Sequence, residues 1–300
     1  MNISLLKLQI IEALYKHKKV TAVAEQLNLK QPTVTFHLRS LEKELGVQLF
    51  ESKSGKISLT EAGDSLYHYA VRINSLAHEA ERVVKEYDGL GRGHLIIGAS
   101  YVAATYLLPN ILCRFEKDYP GITVSMTVRT APAVVEMLKN HEIDLGVILS
   151  EAFQSFPVVN ENLCEDEIVF VFSPGHRLAQ FQVLQPENLS GVPFVLHGQH
   201  SSTRNMTLKW FESNGITLNA KMEMDSLEAI KQVVVSGDYV SVISRLAIGK
   251  EIDRGELLYR AVSPNALKRH VCCAYNQDRK QSALLDRFIQ YLKDAIKWTR

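Results

Sequence analysis

The spacing of apolar positions in the first 50 residues predicts three helices. Apolar residues of the first helix recur every three or four positions: Leu5, Leu8, Ile11, Ala13 and Leu14. A second helix is expected over residues 22–27, with Thr21 at its N-cap. The third is expected to begin at Gln31 with Pro32 in its first turn and to end at Gly46, a glycine typical of helix C-termini.

A short helix, a tight turn and a longer helix form a helix-turn-helix unit, whose second helix enters the DNA major groove by its N-terminal residues. The outward positions of this helix are candidate DNA contacts: Gln31, Thr33, Thr35, Phe36, His37 and Arg39. Gln31 can bond an adenine edge, and a Thr or Phe side chain can touch a thymine methyl group. Arg39, one turn further along, is better placed for phosphate. The alternative is a solvated helix face that merely follows a turn.

Two short apolar runs follow at residues 47–50 and 57–59, separated by a turn that contains Ser and Gly. This arrangement predicts a β-hairpin wing. Lys53 and Lys56 at its tip are candidate phosphate contacts, whereas Phe50 and Leu59 are expected in the core.

Residues 60–87 contain no proline, and their apolar positions predict one long helix with heptad spacing. Two interleaved series of residues seven positions apart form the apolar stripe: Leu66, Ile73, Ala80 and Tyr87, with Tyr69, Leu76 and Val83. A stripe of this length needs a covering partner. We therefore expect a dimer through Leu66, Tyr69, Ile73, Leu76, Ala80 and Val83, with packing on the chain's own domain as the alternative.

Beyond a glycine-rich joint at residues 88–93, strands and helices alternate, which predicts an α/β fold of two subdomains. Strands are expected at 95–98, 122–128, 143–149, 168–172, 192–196, 219–224, 239–243 and 271–275. Helices are expected near 106–118, 132–140 and 204–214, after a capping box of Asp225 with Glu228, and at the C-terminus. The expected boundaries are 1–59 for the DNA-binding domain, 60–88 for the linker helix, 89–162 with 268–300 for subdomain one, and 163–267 for subdomain two.

Open α/β sheets bind ligands beyond the carboxyl ends of their strands, where helices begin. Two segments have this context, and each offers hydroxyls and backbone N–H groups to a small anion or carboxylate. They contain the candidate effector-binding residues Ser100, Tyr101 and Val102, and Ser201, Ser202, Thr203 and Arg204. The alternative is that the hydroxyls only cap helices and that Arg204 is an exposed cation.

Net charge is only +1, but its distribution is uneven. Residues 1–58 hold nine Lys and Arg against five Asp and Glu, whereas the remainder is net negative. A basic end on an acidic body is typical of a protein of which one part meets phosphate. No apolar run approaches the roughly 20 residues of a membrane span, and the N-terminus lacks the features of a signal peptide. A cytoplasmic location is therefore expected.

Motifs for catalysis are missing from the sequence: there is no G-x-S-x-G, P-loop, G-x-G-x-x-G after a strand, or H-E-x-x-H. His197 and His200, three apart, are more typical of a loop than of a metal site, and residues 165–167 are interpreted as a solvated turn. Cys272 and Cys273 are adjacent and would point to opposite faces of a strand, so a redox pair is only an alternative to burial. We expect no cofactor and no metal.

Three segments resemble the LysR-type transcriptional regulators, in the same order and at the same spacing. They are Gln31-Pro32-Thr33-Val34-Thr35, then the run from Leu41 to Phe50, then Leu59-Thr60-Glu61-Ala62-Gly63. Two positions depart from the family pattern. Ser52 stands where an Arg is usual, so Lys53 or Lys56 must supply that charge. Phe36 occupies a position that is often basic or polar, which suggests an altered base preference.

The resemblance implies a winged helix-turn-helix domain, a dimerising linker helix and an effector domain like the periplasmic solute-binding proteins. It further implies binding to a palindromic promoter site on double-stranded DNA as a dimer or tetramer, and contact with RNA polymerase. Ser100, Ser202 and Thr203 match the family's ligand-contacting positions, whereas Val102 and Ala103 fall where many anion-sensing members are polar. The effector therefore has room for an apolar part. The alternatives are an enzyme with an α/β cleft fused to a DNA-binding head, and an architectural DNA binder.

Overall fold

The computed structural model describes residues 3–53, 56–86, 93–150, 155–261, 267–278 and 282–297. The chain divides into two compact units, one of residues 1–90 with 139–142 and one of residues 91–138 with 143–300. Residues 88–92 of the predicted joint, the turn residues Ser54 and Gly55, and Tyr87 lie outside the described residues. Within the described ranges, no helix has both the length and the apolar content to cross a membrane.

The first unit is a three-helix domain with a hairpin and a long helix. Its elements are α1 (Leu5–His17), α2 (Val20–Gln26), α3 (Gln31–Leu45), β1 (Phe50–Lys53), β2 (Lys56–Leu59) and α4 (Glu61–Glu86). Val34 and Leu38 of α3 are buried against Ile10 and Leu14 of α1. Burial of this face leaves the opposite face of α3 toward solvent, as the helical period requires.

Residues of the segments that resemble the LysR-type regulators hold the hairpin to its two neighbouring helices. The Glu42 carboxylate in α3 accepts hydrogen bonds from the backbone N–H of Leu49 (2.8 Å) and Phe50 (3.1 Å). Thr60 donates its hydroxyl to the Gln48 carbonyl and accepts from the Gly63 N–H. A Cβ on Gly63 would lie 2.1 Å from the Leu49 carbonyl oxygen, so only glycine allows this approach.

Two predicted element starts in this unit are wrong. Helix α2 begins at Val20, with Lys19 as an N-cap that makes no side-chain hydrogen bond, so Thr21 lies inside the helix. Strand β1 begins at Phe50 rather than at residue 47, and its register runs from Phe50 opposite Leu59 to Lys53 opposite Lys56. Leu49 stays out of the ladder because its N–H bonds to Glu42 and its carbonyl accepts from the Thr60 N–H.

The second unit alternates strands and helices. Its elements are β3 (Gly93–Ala99), α5 (Leu108–Asp118), β4 (Ile122–Val128), α6 (Ala131–Lys139), β5 (Leu145–Ser150), β6 (Val158–Phe172), β7 (Pro193–His197), α7 (Ser202–Ser213), β8 (Asn219–Met224), α8 (Leu227–Val235), β9 (Ser241–Ser244), α9 (Gly249–Asp253), β10 (Leu258–Ala261), β11 (Lys268–Asn276) and α10 (Ala283–Lys297). A π-helical turn, Ala103–Leu107, precedes α5. Ser226, not Asp225, caps α8, because its side chain accepts from the Ala229 N–H.

One sheet has the order β10-β6-β11-β5-β3-β4, with β9 also on β6, and β7 pairs with β8 separately. Strand β3 is parallel to β4 and β5, whereas β11 is antiparallel to β5 and β6. Apolar clusters cover both faces of the subdomain-one sheet, as buried parallel strands require. Two further clusters form the interior of subdomain two. The predicted α/β fold of two subdomains is confirmed.

Strand β6 is longer than predicted and passes from one subdomain to the other. Residues 158–167 pair with β11, and residues 168–171 pair with β9. Only the apolar second half, residues 168–172, was predicted as strand, because the first half is rich in polar residues. The interpretation of residues 165–167 as a solvated turn is wrong: Asp166 is 1% exposed and lies within the strand.

Candidate functional site

The exposed face of α3 carries most of the predicted DNA contacts. Gln31, Phe36 and Arg39 are exposed, and Thr33 and Thr35 are partly exposed. All of these residues except Thr33 line an open depression along α3, together with Pro32, Ser40, Lys43 and Glu44. Phe36 is 67% exposed, so the structure presents a large apolar ring to solvent in the middle of this face.

His37 is placed differently from the other predicted contacts. Its Nδ1 atom is buried and has no hydrogen-bond partner among the described residues. Its ring lies edge-on to Phe36 with 5.7 Å between the ring centroids. With Nδ1 buried, Nε2 is the ring nitrogen left for a contact to DNA.

Lys53 and Lys56 are opposite one another at the end of the β1–β2 ladder. Lys56 is exposed. The side chain of Lys53 lies outside what the structure describes. The hairpin thus carries two lysines at one end, as a phosphate-contacting wing requires.

Helix α4 presents a stripe of exposed apolar side chains. Tyr69, Ile73, Leu76 and Val84 are exposed at 62%, 41%, 44% and 69%, and Ala80 is also exposed. The predicted seam is shifted at both ends. Leu66 packs against the core of its own unit, and Val83 is half-buried, so Val84 takes its place.

A cleft of about 510 Å³ lies between the two subdomains of the second unit. Its walls come from the ends of β3, β4, β5 and β7 and from the starts of α6, α7, α8 and β11. Its lining residues are Ser100, Tyr101, Val102, Val128, Arg129, Thr130, Ala131, Pro132, Leu149, His197, Gly198, His200, Ser201, Ser202, Thr203, Asn205, Asp225, Leu227 and Arg269. All of the predicted effector residues except Arg204 line it.

Three hydroxyl oxygens in the cleft already accept a hydrogen bond from the protein. The Ser100 Oγ accepts from the Leu149 N–H at 3.1 Å. The Ser202 Oγ and Thr203 Oγ1 accept from Arg269 at 2.9 and 3.0 Å. A hydroxyl that already accepts from the protein keeps its own proton to donate. The cleft is therefore built to receive a group that accepts hydrogen bonds.

The structure does not bring Arg204 to the cleft. Its Nη1 atom donates to the Glu223 carboxylate at 2.5 Å and to the His197 carbonyl at 3.0 Å. Ser201 acts as the N-cap of α7 and accepts from the Arg204 N–H. The helical positions of Ser202 and Thr203 bring them to the cleft, whereas the Arg204 side chain reaches Glu223 of β8.

A buried cation of the cleft wall, Arg269, was missed by the sequence analysis. It is the second residue of β11 and is 2% exposed. Its Nε donates to the Asp166 carboxylate at 2.8 Å. Nothing local in the sequence marks Arg269, because its partners Asp166 and Ser202 are far away along the chain. An alternating strand pattern extended back from Val271 would have placed it inward.

His197 contributes no charge. Burial lowers the pKa of His197 to about 4, and the charge of Arg269 adds to this effect. The neutral imidazole donates from Nε2 to the Val242 carbonyl at 3.0 Å. His197 and His200 do not belong to any cluster of three potential metal ligands within the described part of the chain.

Cys272 and Cys273 are buried on opposite sides of β11, one in each apolar cluster of subdomain one. Burial raises the pKa of the Cys272 thiol to about 11 and that of Cys273 to about 12. Both thiols therefore stay protonated at neutral pH, whereas a reactive cysteine needs the thiolate. The geometry favours packing over the redox alternative.

A winged helix-turn-helix domain followed by a cleft-bearing α/β domain defines a DNA-binding transcription regulator that responds to a small molecule. A family model described as "LysR substrate binding domain" matches residues 88–297. A model of the "Bacterial regulatory helix-turn-helix protein, lysR family" matches residues 5–64. The chain belongs to the LysR family of transcriptional regulators.

Individual relatives agree with this assignment. The chain is 33% identical over 288 residues to a probable RuBisCO transcriptional regulator of Cyanidium caldarium, covering 94% of this chain and 90% of that protein. Full-length OxyR from Pseudomonas aeruginosa has a TM-score of 0.72 at 24% identity, covering 99% of this chain and 95% of that one. The regulatory domain of Synechocystis PCC6803 CcmR in complex with 2-PG has a TM-score of 0.63 at 25% identity, over 68% of this chain and 97% of that one. The matched families and relatives are regulators, so the enzyme alternative is not supported.

Proposed function

We propose that this LysR-type regulator binds a palindromic promoter site as a dimer or tetramer and that a small anion or carboxylate in the interdomain cleft controls it. The observation that carries the proposal is the set of three hydroxyl donors that converge on the cleft with a buried arginine behind two of them. The proposal also places the protein in the cytoplasm and in contact with RNA polymerase at the promoter.

The DNA-binding part of the proposal is supported by the face of α3 and by the hairpin lysines. Gln31, Thr33, Thr35 and Phe36 are proposed to meet base edges, and Arg39 to meet phosphate. Two copies joined by a two-fold axis would present two α3 helices to half-sites about 34 Å apart or a multiple of this distance. An interrupted palindrome is the DNA sequence that fits such a dimer.

The dimer is supported by the uncovered stripe on α4. Tyr69, Ile73, Leu76, Ala80 and Val84 follow one another at intervals of three or four residues along one side of the helix. Water would face this apolar stripe in a monomer, and a second α4 would cover it.

The effector chemistry is supported by the cleft's composition. Ser100, Ser202 and Thr203 offer protons to an oxyanion, and helix α7 adds backbone N–H groups at its positive end. The CcmR regulatory domain, similar in fold and 25% identical, is complexed with 2-PG. The cleft lining also includes Val102, Val128 and Leu227, whose apolar side chains suit a nonpolar part of the ligand.

Thermal unfolding of the full-length protein against a panel of small metabolites tests the effector proposal. A ligand that binds the folded state raises the melting temperature with its concentration, without turnover. We expect stabilisation by anions and none by neutral analogues of the same size. Ser100→Ala and Thr203→Ala should lose the ligand response and keep the affinity for promoter DNA. A full response in both variants would remove the cleft from consideration.

A footprint on the DNA upstream of the protein's own gene tests the promoter proposal. Protection of two half-sites on one face of the duplex is the expected pattern. Protection of a single half-site by a monomer would contradict the dimer.

A further inference from the structure

We propose that Arg269 is the residue that recognises the effector's oxyanion directly, through its Nη2 atom, and that it does so as one half of a preformed ion pair with Asp166. This inference rests on the proposed function of the cleft and adds to it the residue that binds the anion.

Arg269 lies where the two subdomains meet. It is directly opposite Asp166 in the register of β11 and β6. Two residues further along, β6 leaves β11 and pairs with β9 of subdomain two, beginning at Ile168. Both side chains are buried, and Arg269 forms part of the cleft wall. A group bound to Arg269 therefore touches the junction of the subdomains.

Two N–H donors of the Arg269 guanidinium, both on Nη2, have no hydrogen-bond partner among the described residues. A guanidinium has five N–H groups, one on Nε and two on each Nη atom. Nε donates to Asp166, and Nη1 donates to both Ser202 and Thr203. Nη2 makes no hydrogen bond to any described residue. These two donors remain available to an acceptor bound in the cleft, and a guanidinium N–H forms its strongest hydrogen bonds with an anionic acceptor.

Other parts of the fold hold the hydrogen-bond partners of Arg269 in place. Asp166 also accepts from the Ser244 hydroxyl at 2.5 Å, so each of its carboxylate oxygens is engaged. Ser202 and Thr203 lie in the first turn of a twelve-residue helix whose N-cap is Ser201. The guanidinium is thus held in one orientation before the ligand arrives, which lowers the entropy cost of binding.

The hydrogen-bond donors of the site, rather than its net charge, point to a small oxyanion. Asp166 neutralises Arg269, and His197 is neutral because its pKa is about 4. The nearest other charges on the cleft wall are the exposed Arg129 and Asp225. A carboxylate or a phosphate group would accept from Nη2 and from the hydroxyls of Ser202 and Thr203, a combination that suits charge-assisted hydrogen bonds. A cation or a ligand that only donates hydrogen bonds would not fit.

The experiment compares three variants of the full-length protein in the presence of named probes: inorganic phosphate, glycolate and phosphoglycolate. Arg269→Lys keeps the charge and removes the forked donors. Asp166→Asn with Arg269→Gln removes both charges and leaves the pair neutral. Arg260→Lys is the matched control, because Arg260 is a partly buried arginine of subdomain two that bonds to carbonyl oxygens of Phe181 and Tyr259 and does not line the cleft.

We expect wild type and Arg260→Lys to bind the best probe with equal affinity, measured by calorimetry, and Arg269→Lys to bind it at least tenfold more weakly. The neutral double variant should fold and bind no probe. Preference for glycolate or for phosphate identifies which oxyanion the site takes. If wild type and Arg269→Lys bind a probe equally well, the role of Arg269 is wrong and the cleft remains the effector site.

If neutral metabolites stabilise the wild-type protein and no oxyanion does, the proposed effector class fails together with the role of Arg269. A crystal of the wild-type protein soaked with the best probe gives a measurement that does not depend on how the variants fold. The probe's oxygen is expected within hydrogen-bond distance of Arg269 Nη2. A probe seated elsewhere in the cleft would overturn the inference.

Discussion

Tyr106, in the π-helical turn of subdomain one, donates its phenolic hydroxyl to the carboxylate of Glu228 in the first turn of α8 in subdomain two. Lys231 completes the contact: its ammonium lies 5.0 Å from the centroid of the Tyr106 ring and 3.0 Å from Glu228 Oε1. Burial and the neighbouring Glu228 raise the pKa of Tyr106, so the hydroxyl remains a donor at neutral pH. Tyr101 and Leu227, near either partner in sequence, line the cleft.

Removing this bridge should loosen the two subdomains. Tyr106→Phe and Glu228→Gln are each expected to lower stability by about 1 kcal/mol, the usual size for a hydrogen bond with one partly exposed charged partner. Because the two side chains share one interaction, the double variant should lose less than the sum of the two changes. Thermal unfolding of the four proteins measures the coupling. Tyr291→Phe is the control, since Tyr291 bonds to Asp118 on the surface of subdomain one. Strict additivity would contradict the bridge.

The buried His197 should make the protein less stable in mild acid. Its pKa in the folded state, about 4, lies below its ordinary value of 6.5, so between these values the unfolded chain binds more protons. Stability therefore falls as pH drops below 6.5, by about 2 kcal/mol at pH 5 from this group. His197→Gln should show a smaller difference in melting temperature between pH 7 and pH 5. An equal pH dependence in both proteins would show that other groups cause the loss.

A charge in the α4 stripe should separate the dimer. Ile73→Asp places a carboxylate among Tyr69, Leu76 and Ala80, where a partner helix would have to desolvate it. Sedimentation should then report monomers, and promoter affinity should fall by at least tenfold. Arg72→Asp changes the charge at the adjacent, exposed position outside the stripe and is expected to remain dimeric. A dimeric Ile73→Asp protein would place the interface elsewhere.

Phe36 and Lys56 should affect DNA binding in different ways. Phe36→Ala removes an exposed ring, so stability should hardly change, while affinity for the true promoter site falls by about 1–3 kcal/mol relative to a base-pair-substituted site. Lys56→Ala should weaken both sites alike and lower the slope of log K against log salt by about 1. Titrations at several salt concentrations distinguish the two. A uniform loss in Phe36→Ala would mean that the ring does not read sequence.

Periodicity predicted the elements whose two faces differ clearly in polarity. Strands β4 and β8 and helix α3 have the predicted bounds because each alternates between a packed face and a solvated one. The first half of β6 was not predicted because its sequence is rich in polar residues and shows no apolar alternation. Its strand conformation depends on pairing with β11. A local pattern holds no information about such pairing across the chain.

The residues of the candidate site also differ in whether the local sequence could identify them. Ser100, Ser202 and Thr203 were predictable because each lies near a helix start that follows a strand, a context that the sequence shows directly. Arg204 was a reasonable candidate by proximity, yet its helical position points it at Glu223. Arg269 needed the register between β6 and β11, which sets Asp166 opposite it and which only the folded chain reveals.

The close approach of Gly63 to Leu49 affects how helix α4 is connected to the DNA-binding domain. Helix α4 begins in contact with the hairpin backbone, and Thr60 and Glu42 tie the same loop to α4 and α3. Because these contacts connect the first turn of α4 to the hairpin and to α3, we expect the three elements to move together. If α4 joins two copies into a dimer, a small change in the angle between the two α4 helices would change the distance between the two DNA-binding domains. The fold of each DNA-binding domain would stay the same.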